Sequence, residues 1–342
     1  MSRRSEITID LAALRSNVAR MREAARPAEL WAVVKADAYG HGMLDSARAA
    51  LEAGAALLCV ITAQEGEALR AAFPDARILM MGPLGPGEDA LARRAKLEVA
   101  VSTPRVPKDV DLHLKVDTGM GRWGMNPAEA RTVPPGRVVG LMSHLATADE
   151  EDRSFAREQV FRFAELAREF GVPAHIANSA ATLTLPEARF DAVRCGVALY
   201  GLSPFGGDPQ EDGLSPVLSW RSYVAVAKKL GPGESAGYGR RFVASSSTRI
   251  GVVPIGYADG FRRGLTGTEV LVDGERREVV GTISMDALAV ELEDEAEGAP
   301  VTLIGEGLLA EEHARRLGTI NYELTSGIRI DPLRATRIVL DG

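Results

Sequence analysis

The chain has 342 residues, 46% hydrophobic and 25% charged, and its 40 Lys and Arg against 47 Asp and Glu give a formal charge of −7. At about 150 residues per domain this length predicts two domains, each able to bury a core without a disulfide framework. The acidic balance argues against a general nucleic-acid or anionic-membrane binder, and the longest nearly unbroken apolar run, 53–63, falls well short of the roughly 18 residues of a membrane span.

The opening residues carry an early charge cluster with no continuous apolar stretch behind it, so no signal peptide is expected. From residue 31 onward the chain repeats one theme, a short apolar run followed by an amphipathic stretch. The runs 31–35, 56–62, 77–82, 97–102, 110–117, 137–144, 174–178 and 192–200 are aliphatic and β-branched with little alternation, as in strands covered on both faces. Between them 44–53, 65–72, 88–94 and 151–170, with 16–25 before the first, space apolar residues at the helical period. Eight such strands predict a closed (β/α)8 barrel, an α/β fold of TIM type, over a doubly wound open sheet. The connection 103–109 contains two prolines, and 126–136 ends in Val-Pro-Pro-Gly, so helices after the fourth and fifth strands should be missing or stunted.

After about residue 215 the pattern changes to short strands with glycine turns: 217–230, 248–254, 269–272, 276–283, 288–292 and 300–304. Asp273-Gly274 reads as a hairpin turn, and one helix is expected over 306–317. The expected division is 1–214 for the barrel and 215–342 for a mostly β domain, with the first few residues free to pair with the latter. Cys59 and Cys195 lie inside apolar runs, which fits a reducing cytoplasm and excludes a cysteine-rich metal site; no metal is expected.

Chemistry-bearing residues collect at strand ends. The first strand runs into Val34-Lys35-Ala36-Asp37-Ala38-Tyr39-Gly40; a lysine there would face the mouth of a barrel, desolvated and available as nucleophile or base. Taken alone, it is more often a lysine reaching solvent. The fifth strand ends in Lys115 with Arg122 on the loop above; a buried lysine beside an arginine needs an anion. The sixth ends in Ser143-His144, the seventh in Asn178-Ser179, and the eighth carries Arg194-Cys195-Gly196-Val197. Singly these read as a core histidine or a helix cap; together they place cations, hydroxyls and bare backbone at one end of five strands.

This constellation resembles alanine racemase, the fold-type-III family of pyridoxal-phosphate (PLP) enzymes. The resemblance rests on AVVKADAYGHG, LKVDTGMGRWGM, SHLATAD, ANSAATL, VRCGVALYG, SAGYGRRF, GYADG and GTISMD, in that order. It implies interconversion of L- and D-alanine, supplying D-alanine for peptidoglycan. It further implies that Lys35 forms the Schiff base with the cofactor, that Tyr39, Asn178, Ser179 and the amides of Gly196 and Val197 surround the phosphate, and that Arg194 faces the pyridine nitrogen. Lys35 and Tyr238 would be the two bases on opposite faces of the substrate carbon, with His144 easing the deprotonation of Tyr238. Tyr238 would come from the other subunit of a homodimer with composite sites. Arg122, Met285, Asp286 and Tyr257 would meet the substrate or its entryway, and Lys115 matches a lysine that some members carry as a carbamate. Ile330 stands where the family usually has a tyrosine, which leaves a broader racemase (of serine, for example) as the alternative for substrate range. A barrel that binds PLP without catalysis is the weaker alternative, because it would have no use for Tyr238 or the β-domain.

Overall fold

The computed structural model describes residues 4–342. The chain divides into two compact units, one made of Leu14–Phe205 with Gly213–Ser215, the other of residues 4–13, 206–212 and Pro216–Gly342. Strand β1 (Glu6–Asp10) belongs to the second.

The first unit is built on β2 (Glu29–Val33), β3 (Leu57–Val60), β4 (Ile78–Met80), β5 (Glu98–Val101), β6 (Asp111–Lys115), β7 (Val138–Met142), β8 (Ala174–His175) and β9 (Ala192–Cys195). They run parallel in the order β8-β7-β6-β5-β4-β3-β2-β9. Backbone bonds from Asp191 N to Ala174 O (3.1 Å) and from Arg194 N to Ala177 O (2.9 Å) tie the two edges together, so the sheet nearly closes into the expected barrel. Along each strand alternate side chains point inward. Trp31, Val33, Leu57, Cys59, Leu79, Met81, Ala100, Met142 and Ala192 form one apolar sector of the interior.

Helices Met43–Glu52, Ala63–Ala72, Asp89–Arg94 and Ser154–Phe170 lie where the periodicity placed them. Ser154–Phe170 buries Ala156, Val160, Phe163 and Leu166 at steps of three and four and stops at Gly171 in the left-handed region. The first helix, Leu11–Ala25, starts earlier than its apolar spacing suggested because the Asp10 carboxylate accepts the Ala13 N–H (2.9 Å) and caps it. No helix follows β5 before β6, and only the single turn Pro127–Ala130 and a 3-10 turn at Pro135–Arg137 follow β6.

The second unit holds β10 (Leu218–Tyr223), β11 (Val226–Leu230), β12 (Ser235–Ala236), β13 (Phe242–Val243), β14 (Thr248–Val253), β15 (Glu269–Val272), β16 (Glu275–Val280), β17 (Leu288–Leu292), β18 (Pro300–Ile304) and β19 (Thr336–Leu340). A nine-stranded sheet runs β11-β14-β17-β16-β15-β18-β10-β1-β19, with β1 antiparallel to β10 and parallel to β19. Asp273 (φ 52°) and Gly274 (φ 86°) close the β15–β16 hairpin with both central residues left-handed, the twist a two-residue turn requires. Beside the expected helix, found at Ala310–Leu317, lies a short one at Asn321–Ser326. Six residues are too few for a readable period; it is held by the buried Asn321 amide donating to the Glu311 carboxylate at 2.8 Å. Among the described residues no helix is long and apolar enough to cross a membrane.

Candidate active site

Lys35 follows β2 directly, and the chain then makes an uncommon turn: Ala36, Asp37, Ala38 and Tyr39 all have φ between 51° and 57°. Left-handed backbone costs a residue with a side chain about 1–2 kcal/mol, so a run of them persists only where its surroundings over-determine it. Here they do. The Glu65 carboxylate accepts the Ala36 N–H (2.8 Å), Ala38 N donates to Val34 O (2.9 Å), and Asp37 Oδ1 accepts the Met43 N–H (2.7 Å). Glu65 also accepts from the amides of Ile61 and Thr62, locking the loop after β3 to the turn after β2. Burial and the nearby positive Arg122 lower the Lys35 ammonium below its ordinary pKa, while Glu65 partly opposes them.

The reversed turn points Tyr39 toward Gly196, just past β9. A Cβ at Gly196 would overlap Tyr39 Oη, so any larger residue there would push the phenol aside. Ser179 Oγ accepts from the amides of Gly196 (3.1 Å) and Ala198 (3.4 Å). A phenol, an alcohol and two peptide N–H groups thus meet at the carboxyl ends of the strands, the arrangement that cradles a phosphate. Asn178, expected beside the cofactor, spends its Oδ1 capping Ala181 N (3.0 Å), the ordinary cap role, which leaves its amide nitrogen for any anion. Val197 is buried next to this cradle, with Ala198 the neighbour whose amide reaches Ser179.

Arg194, buried on β9, is held from several sides. Its NH1 donates to His175 Nδ1 (2.6 Å) and His175 O (2.9 Å), and its NH2 donates to Ser143 O (2.7 Å) and His144 Nδ1 (3.3 Å). Burial pulls it down to about 10, so it stays charged near neutrality. Its Nε is the remaining donor. His144 is held well below its ordinary pKa by desolvation and then by Arg194, Arg122, Lys115 and Lys35. A neutral His144 accepting at Nδ1 carries its proton on Nε2. Gln159, fully buried on Ser154–Phe170, positions this loop by accepting Ala146 N (2.8 Å) and donating to His144 O (3.1 Å).

Lys115 is only 4% exposed at the end of β6, with Nζ 5.1 Å from the Trp123 ring and the Arg122 guanidinium 5.5 Å from that same ring. Burial, Arg194, Arg122 and Lys35 bring its ammonium down to about 8. No carboxylate pairs with Lys115 among the described residues, so the need for an anion anticipated from the sequence stands in the structure.

In the second unit three motif loops interlock. Tyr257 N and Ala258 N donate to Ser284 O and Met285 O, and Thr282 Oγ1 donates to Tyr238 O at 2.9 Å. A Cβ at Gly256 would collide with the backbone of Ser284 and Met285, and one at Gly237 would crowd Thr282, so the loops pack backbone to backbone. This presents Tyr238 (72% exposed), Tyr257 (43%) and Met285 (53%) together, large apolar surfaces left outside the unit's own core. Asp286 is held by Arg334 at 2.6 Å.

Sequence reasoning missed Glu65, Gln159, Glu98, His113 and His175. Thr62-x-x-Glu65 was legible as a capping box and forms one here, and a glutamine on the apolar stripe of an amphipathic helix was a visible anomaly. The second role of Glu65 had no local signal.

The family model of the alanine racemase N-terminal domain matches residues 9–204 and that of the C-terminal domain matches 217–336. The chain belongs to the alanine racemase family. It is 42% identical to an alanine racemase of Streptomyces coelicolor, over 95% of this chain and 94% of that one. A solved alanine racemase structure from Streptomyces coelicolor superposes with a TM-score of 0.91 at 41% identity, covering 99% and 98% of the two chains. An alanine racemase from Bartonella henselae, solved with covalently bound pyridoxal phosphate, superposes at 0.90 with 26% identity, covering 98% of this chain and 99% of that one. The expected family, fold and enzyme class therefore stand.

Proposed function

We propose that this chain racemises alanine by a two-base mechanism with Lys35 on one face of the substrate carbon and Tyr238 of a partner subunit on the other. The observation that carries it is the convergence of Lys35, Tyr39, Ser179, Gly196 and Arg194 at the carboxyl ends of the barrel strands. The donor set fits pyridoxal phosphate: a cradle that a Cβ at Gly196 would fill, and a guanidinium with one donor to spare. When bound, that cofactor supplies an aldehyde for the substrate amine and a conjugated ring that acidifies the α-hydrogen.

Tyr39, Ser179 and the amides near Gly196 would hold the phosphate, with Asn178 and Val197 beside them. Arg194 would face the ring nitrogen as a donor only, since guanidinium does not release its proton, and a ring held that way would favour prompt return of the proton over transamination. Burial and Arg122 lower the Lys35 pKa, which favours its neutral amine. His144, donating from Nε2, stabilises the deprotonated phenol of the partner's Tyr238. For L-alanine one base takes the α-proton and the other delivers a proton to the opposite face; for D-alanine the roles exchange. Arg122 lies near the substrate carboxylate, which the backbone amide of the partner's Met285, on the loop that also carries Asp286, would meet; Tyr257 lines the approach.

The exposed cluster of Tyr238, Tyr257 and Met285 supports a homodimer with composite sites, and two free, buried cysteines support a reducing cytoplasm. The test is complementation. Lys35→Ala and Tyr238→Ala proteins, each inactive alone, are dissociated, mixed and reassociated. Half of the dimers then have one intact site, restoring about one quarter of wild-type racemisation. No recovery in a verified mixed dimer would place both bases in one chain and overturn the composite site.

A further inference from the structure

Below the cofactor cradle a line of buried polar side chains crosses the barrel interior. Arg194 donates to His175 Nδ1 (2.6 Å), His175 Nε2 lies 2.8 Å from His113 Nδ1, and His113 Nε2 lies 2.8 Å from Glu98 Oε2. Glu98 in turn receives Arg77 through two bonds, at 2.9 and 3.1 Å. His113 and His175 are almost wholly buried, 1% and 0% exposed, and Trp31 packs against both rings, at 5.7 and 4.5 Å between centroids. The passage is shaped for them. A Cβ at Gly140 on β7 would sit 2.2 Å from His113 Nδ1, with no left-handed backbone to explain that glycine otherwise.

The two ends of this line have fixed polarity. A guanidinium can only donate and a carboxylate can only accept, so every hydrogen between them must point the same way. His175 must offer a lone pair at Nδ1 and carry its proton on Nε2; His113 must then accept at Nδ1 and donate from Nε2 to Glu98. Shifting either proton sets two N–H groups, or two lone pairs, against each other in a dry interior, where an unmade hydrogen bond is costly. We propose that Glu98 and His113 are positioning residues for racemisation: they lock the tautomer of His175, which holds the Arg194 guanidinium in place for the cofactor ring. A carboxylate that keeps an imidazole in its working tautomer can matter by orders of magnitude without touching substrate. The low titration of Glu98, which burial opposes but the bonds from His113 and Arg77 bring to about 2, agrees with a permanent acceptor.

This rests on the reading that Arg194 faces the cofactor, and two measurements separate the claims. Nitrogen-15 spectra of histidine-labelled holoenzyme should show His113 and His175 neutral and protonated at Nε2. Glu98→Leu and Gly140→Ala should each give mixed tautomers and lower kcat by about tenfold or more, by analogy with wrong-tautomer variants, while KM for alanine stays within about threefold. Glu98→Gln, whose amide nitrogen can donate toward His113 Nε2 and so invert the line, should lose kcat with them, as a carboxylate-to-amide change does in a catalytic triad. A wild-type His113 or His175 protonated at Nδ1, or a folded Glu98→Leu enzyme with unchanged kcat, would overturn the proposal. If the variants do not fold, the wild-type spectra still decide it. An inactive wild-type protein would count against the racemase reading instead, since the spectra report the chain of bonds directly.

Discussion

Glycine 196 shows how a single hydrogen atom in place of a methyl shapes the site. Any Cβ there overlaps the Tyr39 hydroxyl, so Gly196→Ala should displace the phenol. We expect cofactor affinity to fall about tenfold, read by titration with pyridoxal phosphate, with the thermal midpoint little changed; unaltered affinity would remove Tyr39 and Gly196 from the cradle. Lys115 makes a second prediction. With its ammonium brought to about 8, a substantial fraction is free amine at pH 8, and free amine adds carbon dioxide to give a carbamate anion and a proton. That anion would answer the neighbouring Arg122. Protein equilibrated with carbon-13 bicarbonate should show a carbamate carbon resonance that Lys115→Met abolishes; its absence in active wild-type enzyme would mean that Lys115 works as an unmodified amine. Lys35, Lys115 and Arg194 were legible because strand-end cations are anomalous in an apolar run. His113 and His175 were not, for each reads alone as a core histidine, and their partners lie 15 to 62 residues away.

The elements show where local pattern suffices. Strands β2 to β9 were readable because a barrel strand is covered on both faces and its run of apolar residues is nearly continuous. The missing helix after β5 and the stunted one after β6 followed from proline. The left-handed turn 36–39 was not readable, since Ala and Tyr have no preference for that region. Its support comes from Glu65 on another element, whose carboxylate joins three backbone amides. Glu65→Ala should therefore destabilise the barrel by about 2–3 kcal/mol, the scale of lost charge-assisted bonds, and lower kcat because Lys35 and Tyr39 ride on the turn. Chemical denaturation and steady-state kinetics check both; stability loss without any change in kcat would mean the turn does not position the site.

For the whole molecule, pH dependence follows from groups the fold keeps neutral or charged. His144, His175 and His313 all lie below their ordinary pKa of about 6.5, chiefly through burial. As pH drops below that value the unfolded chain takes up protons that the native state refuses, so stability falls on the acid side, by up to about 1.4 kcal/mol per pH unit for each histidine. Glu98, held at about 2, adds stability that is present above the usual carboxylate pKa and lost as pH falls toward 2. The thermal midpoint should descend steadily as pH falls from about 6.5 toward 5; a midpoint independent of pH from 7 to 5 would show that these histidines titrate normally. By itself the sequence determined the (β/α)8 barrel, the β-rich second half and the strand-end residues, because hydrophobic period, turn chemistry and strand polarity are local properties. Only the tertiary structure decided the reversed turn after Lys35, the spaces left at Gly140 and Gly196, and the one-directional line from Arg194 to Glu98. These depend on distances between residues far apart in the chain, and hydrogen-bond direction has no meaning until both partners are in place.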